Sequence, residues 1–170
     1  ALTVRDKGDA EIRDYIKLRN TRPFMVTEQE SLPAKKSVFN RIIGDSHFEL
    51  EFAAFLEQCK DVVAYAKNYL AVNFKLDYVN RDGNISHYYP DFIVKLPKNR
   101  IVIVETKGNA DLDTPLKMER LRQWCEDVNK AQNEVRYECL YVEQEEFEKY
   151  GAKDFGELTK IFQCYKTNEQ

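Results

Sequence analysis

The stretch YYPDFIVKLPKNRIVIVETKG, residues 88–108, constrains the fold more than any other part of the chain. Two apolar, largely β-branched runs flank Pro97-Lys98-Asn99. Apolar runs joined by a short polar turn mark a β-hairpin. Proline suits the first corner of a turn and asparagine tolerates left-handed backbone. A three-residue loop is therefore expected, a type I turn starting at Pro97 and closing on a left-handed Asn99. That loop sets Leu96 opposite Arg100 and, counted outward, Asp91 opposite Glu105. Side chains alternate along a strand, so Asp91, Ile93, Ile101, Ile103, Glu105 and Lys107 share one face. A two-residue loop would send Asp91 to the other face. The turn chemistry thus predicts two opposed carboxylates at the end of an otherwise apolar hairpin.

Facing residues of an antiparallel pair hold their Cβ atoms ~4.5–5.5 Å apart. Two carboxylates so placed repel unless a cation lies between them. Mg²⁺ suits such a site, because it takes one or two carboxylates and completes its shell with water and phosphate oxygen. Lys107, two residues past Glu105, projects beside the same point. Its ammonium can hold an attacking water or stabilise charge on a phosphate oxygen. The constellation suits metal-assisted phosphodiester hydrolysis. The plainer alternative makes Asp91 a turn cap and Glu105 with Lys107 a surface ion pair. A carboxylate directly after IVIV weighs against it, since charged residues are rarely buried unless paired.

The remaining composition narrows the class. The chain has 170 residues, enough for one compact domain, with 43% hydrophobic and 32% charged residues. No apolar run approaches the ~20 residues of a membrane helix. The start lacks both a signal-peptide core and an initiator Met, so a piece of a longer cytoplasmic protein is expected. The four cysteines, Cys59, Cys125, Cys139 and Cys164, form no C-x-x-C pair, and reduced thiols are the default expectation. His47 and His87 suggest no histidine-based site. The net charge of -3 does not advertise nucleic-acid binding. Its distribution is uneven: residues 1–41 hold nine Lys/Arg against six Asp/Glu, and 138–158 hold two Lys against seven Asp/Glu. The basic end could meet phosphates or simply form a solvated face.

Along the chain, 9–19 reads as a short helix capped by Asp9, and 20–36 as an extended connection. A helix over about 34–43 should end at Gly44. Ser46 with Glu49 three residues on is a capping-box signature, opening a helix whose Phe48, Phe52, Phe55, Leu56 and Cys59 share one face. Residues 61–68 should continue as helix or turn, and 70–79 as a strand ending at the RDGN turn, 81–84. Asp113 should cap, and Pro115 start, a long helix. A fourth strand at 135–142 and two short acidic helices finish the chain. The expected class is α/β, a mixed sheet covered by helices.

Pro90-Asp91 followed by Glu105-Thr106-Lys107 resembles the PD-(D/E)xK nuclease signature. The blocks SVFNRIIGDSHFELEFAAFLE, VAYAKN, YYPDFIV, VETKG and LRQWCEDVN, in that order, resemble the C-terminal endonuclease domain of type III restriction enzyme Res subunits. The resemblance spans about residues 20–142. It implies a restriction-endonuclease-like core with a central four-stranded mixed sheet flanked by helices, and Mg²⁺-dependent cleavage of double-stranded DNA, with Mn²⁺ as a substitute. Asp91 and Glu105 would be metal ligands, with the Thr106 carbonyl a third. Lys107 would position the nucleophilic water, and Glu49 would be the catalytic carboxylate of the first core helix, with Glu51 its rival. Residues 45–170 would form the nuclease domain, with 1–44 leading into it.

No G-x-x-x-x-G-K-[ST] phosphate loop occurs in the chain. The resemblance therefore assigns ATP use to helicase domains elsewhere in a Res subunit, and target recognition to a methyltransferase subunit. A catalytically silent nuclease-like binding module, or a nuclease acting on branched DNA or RNA, stands as the alternative.

Overall fold

The computed structural model describes residues 11–25 and 30–164. A single 3-10 turn, Leu18–Asn20, precedes β1 (Ser31–Pro33), β2 (Arg41–Ile43) and α1 (His47–Gln58). Four strands follow: β3 (Ala64–Lys67), β4 (Leu76–Val79), β5 (Ile85–Tyr88) and β6 (Phe92–Leu96). Then come β7 (Arg100–Lys107), α2 (Thr114–Ala131), β8 (Arg136–Glu143), α3 (Gln144–Tyr150) and α4 (Phe155–Ile161).

The central sheet has four strands in the order β3-β6-β7-β8. β3, β6 and β7 run antiparallel in turn, and β7 pairs with β8 in parallel through the α2 crossover. A parallel neighbour needs such a crossover, which a hairpin cannot supply. This is the expected α/β class with a mixed four-stranded sheet.

Each sheet face carries its own core. Phe92, Val94, Val102, Val104, Leu140 and Val142 pack with Phe48, Phe52 and Leu56 of α1, joined by Phe155 and Leu158 of α4. Ile103 and Tyr141 on the opposite face pack with Met118, Leu121, Trp124 and Val128 of α2. The period-2 alternation of β7 thus feeds both layers. Ile42, on the strand before α1, is fully buried in the α1-side core.

The hairpin register is as expected: Leu96 pairs with Arg100, and the ladder runs out to Phe92 with Val104. Asn99 is left-handed at φ 54°, but so is Lys98 at φ 60°, so the loop keeps its odd length without the type I corner.

Several local expectations are corrected. Residues 11–17 form no helix, and Asp9 lies outside the described residues. The stretch assigned to a helix over 34–43 instead holds β2, which pairs antiparallel with β1 and buries Ile42 and Ile43. A short apolar run cannot be told from a helix by periodicity alone. Residues 64–67 are a strand rather than helix or turn, because they complete the sheet against β6. The strand expected over 70–79 shortens to β4, which leaves the main sheet and pairs only with β5. Asp113 does not cap α2 with its side chain; its carboxylate accepts instead from the Tyr78 hydroxyl at 3.0 Å and the Arg81 amide at 3.3 Å.

Two cysteines are not thiols. Cys139 of β8 is disulfide-bonded to Cys164, and the Tyr141 amide donates to Gln163 O at 3.2 Å. The segment after α4 therefore lies along the outer edge of β8. Sequence spacing could not reveal this, because the pairing depends on where the chain returns after α4. No described helix is long and apolar enough to cross a membrane.

Candidate active site

At one end of the sheet, β3, β6 and β7 bring charged side chains together. Asn68, directly after β3, fixes the main chain ahead of β6. Its amide donates to Asp91 O at 2.7 Å, and its side chain donates to Pro90 O at 2.8 Å and to Phe74 O at 2.7 Å. The Asp91 amide donates to Val104 O at 3.1 Å. Asp91 therefore lies just outside the ladder, and the expected laddered pairing with Glu105 is not formed. Asn68 thus holds the backbone at Pro90-Asp91 from the β3 side, while the Asp91 carboxylate meets Thr106 on the β7 side. Asp91 Oδ2 accepts from the Thr106 amide at 2.8 Å and from its hydroxyl at 2.7 Å.

Glu105 closes the apolar run of β7 and is 5% exposed. Its Oε2 accepts from the buried Tyr88 hydroxyl at 2.9 Å, and its Oε1 faces Lys107 Nζ at 3.5 Å. Burial, followed by the neighbouring charge of Asp91, pushes Glu105 up to about 8 despite Lys107 and Tyr88. Burial, then the charge of Glu49, pushes Asp91 up to about 6, against the two Thr106 bonds and Lys67. Tyr88 is raised well above its ordinary value by burial and by Glu105 and Asp91. These are the marks of buried like charges short of a counter-ion.

Lys107 lies between two carboxylates, Glu105 at 3.5 Å and Asp111 at 3.6 Å. Glu49 reaches the site from α1. The capping box at its start is only half formed: Ser46 Oγ accepts from the Glu49 amide at 3.3 Å, while Glu49 Oε2 accepts from the Asp45 amide rather than from that of Ser46. The same Oε2 contacts Lys67 Nζ at 2.8 Å. Glu51, two residues on and therefore on nearly the opposite side of the helix, meets His47 Nε2 at 3.4 Å.

The structure thus brings Asp91, Glu105, Thr106 and Lys107 together, with Glu49 close enough to act on Asp91 and Glu51 apart. Sequence reasoning missed Lys67 and Asn68, which anchor the β3 side. A lysine inside the apolar VAYAKN was the available signal, since buried lysines are rare unless paired.

Among the described residues, no group of three or more His, Cys, Asp or Glu is arranged to hold a metal ion. The donors at the sheet end are hard carboxylate oxygens whose charged forms desolvation and mutual repulsion disfavour despite the neighbouring lysines. Such a set fits Mg²⁺, which binds through one or two carboxylates and leaves the rest of its shell to water and substrate. It does not fit a softer, fully protein-ligated ion.

A family model described as an endonuclease domain matches residues 35–145, taking in β2 through β8. Comparison with curated proteins and with solved structures yields no match.

Proposed function

The chain belongs to this endonuclease-domain family, and on that premise we propose that it hydrolyses phosphodiester bonds in double-stranded DNA using Mg²⁺ held at Asp91 and Glu105. The observation that carries the proposal is the pair of carboxylates at this end of the sheet, Glu105 buried and Asp91 half-buried against Thr106, both raised by desolvation and by neighbouring negative charge. Mg²⁺ bound there, or Mn²⁺ in its place, would neutralise that charge and acidify water for attack on phosphorus. The Thr106 carbonyl is the third ligand in this reading.

The chain's own groups do the rest. Thr106 holds the Asp91 carboxylate by two hydrogen bonds, and Tyr88 holds that of Glu105. Lys107 is the donor beside Glu105 that orients the attacking water or stabilises the phosphate oxygens. Glu49 adds a carboxylate from the helix side.

The block resemblance over about 20–142 supports a finer assignment: the cleavage module of a cytoplasmic type III restriction enzyme, with 45–170 as the nuclease unit and 1–44 leading into it. The helicase domains of the Res subunit would then supply ATP-driven motion, and the methyltransferase subunit the target site. In a cytoplasm, cellular thiols oppose the Cys139–Cys164 bond, so this assignment predicts that the bond is reduced there at least part of the time.

The test compares Lys107→Ala with Asp91→Ala in the assembled enzyme. Asp91→Ala should abolish duplex cleavage and weaken Mg²⁺ binding. Lys107→Ala should leave Mg²⁺ binding near normal and slow the chemical step by ~10²-fold or more. Cleavage by Lys107→Ala at the parent rate would reduce that lysine to an ion-pair partner. Full activity in Asp91→Ala would refute the site.

A further inference from the structure

Lys67 is 2% exposed, at the last position of β3, and pairs across the sheet with Phe92, the residue after Asp91. Lysine is seldom so buried, because its ammonium loses its water shell. Here Nζ contacts Glu49 Oε2 at 2.8 Å and Asp45 Oδ2 at 3.2 Å. It also lies over the rings of Tyr69, at 5.6 Å, and Phe92, at 5.9 Å. Asp45 is 78% exposed in its side chain and has no need of a buried partner. Glu49 is the partner that burial makes dependent on this ammonium.

The neighbourhood is strongly acidic. Glu49 of α1 acts electrostatically on Asp91, just ahead of β6, and Asp91 acts on Glu105 of β7. A second divalent ion between Glu49 and Asp91 would offset these charges, since a cation favours the ionised form of a neighbouring carboxylate. The ammonium of Lys67 already stands against Glu49 on that side.

We propose that Lys67 is a positioning residue: it holds the Glu49 carboxylate beside Asp91 and supplies there the positive charge a second ion would bring, so that the site takes one divalent ion. The proposal rests on the Mg²⁺ reading of Asp91 and Glu105 and adds to it the ion count and the role of Glu49. The charge of Lys67 acts on Asp91 as well, lowering it, as a resident cation at this position should.

The test is a calorimetric titration of the whole chain with Mn²⁺ alone, counting only the sites that Asp91→Asn removes. The parent should show one. Lys67→Met, with similar bulk and no charge, should show two, because Glu49 is released to bind. Lys67→Arg should return the count to one. A merely structural lysine would change the melting temperature and leave the count alone. Lys67→Met staying at one site would overturn the proposal. Two sites in the parent would overturn it whether or not Lys67→Met folds. No site in the parent would remove the metal reading itself, and this proposal with it.

Discussion

Asp91 Oδ2 accepts two hydrogen bonds from a single residue, the Thr106 amide at 2.8 Å and the Thr106 hydroxyl at 2.7 Å. Thr106 is thereby the residue that aims the Asp91 carboxylate. On the other side, Asn68 holds the same stretch of main chain through Asp91 O and Pro90 O.

Replacing Thr106 by valine keeps the shape of the side chain and deletes the hydroxyl donor. A buried bond to a carboxylate contributes roughly 1.5–3 kcal/mol. Thr106→Val should therefore lower unfolding free energy by about 2 kcal/mol in the metal-free chain, read from denaturant melts. Unchanged stability would mean that the hydroxyl bond contributes nothing.

The pH dependence follows from the same carboxylates. Asp91 stands at about 6 against an ordinary 3.8, and Glu105 at about 8 against 4.5. Both folded-state values are raised, so between these limits the folded chain binds more protons than the unfolded one. Their contribution is fully present below the ordinary values and is lost as pH rises through the folded ones. With a chelator present, the melting temperature should fall between pH 5 and about pH 8, and Asp91→Asn should flatten the fall. Excess Mg²⁺ should restore stability most at the alkaline end. A metal-free chain that grows more stable over this range would contradict the assignment.

The Cys139–Cys164 bond closes a loop spanning 25 residues of sequence separation. Chain-entropy reasoning gives such a link about 3.5 kcal/mol. Reduction, or Cys164→Ser, should lower stability by that order and speed amide exchange at Tyr141, whose amide bonds to Gln163 across the clipped edge. Equal exchange in both states would show that the edge is held without the link.

What was legible in the sequence was what local chemistry decides. Pro97-Lys98-Asn99 fixed an odd loop and so the register of β6 against β7. Ser46 with Glu49 fixed the start of α1. Elements whose identity depends on a distant partner were misassigned. Residues 64–67 become a strand only because β6 lies alongside, and 41–43 only because β1 does. At the site, alternation brought Asp91 and Glu105 together in principle. In the structure the Asp91 amide bonds to Val104 O outside the ladder and its carboxylate meets Thr106, a local departure from regular pairing to which period-2 reasoning has no access. Lys67 was overlooked because a lysine in a short apolar run reads as one exposed position, whereas the fold surrounds it with Glu49, Asp45 and two aromatic rings.

The central claim is that Asp91 and Glu105 share a divalent ion. Crystals of the chain soaked in Mn²⁺, with data collected at the manganese absorption edge, test it most directly. The account predicts an anomalous peak bridging the Asp91 and Glu105 carboxylates, absent from Asp91→Asn crystals. Manganese bound only at surface acidic residues, with none between these two carboxylates, would contradict it.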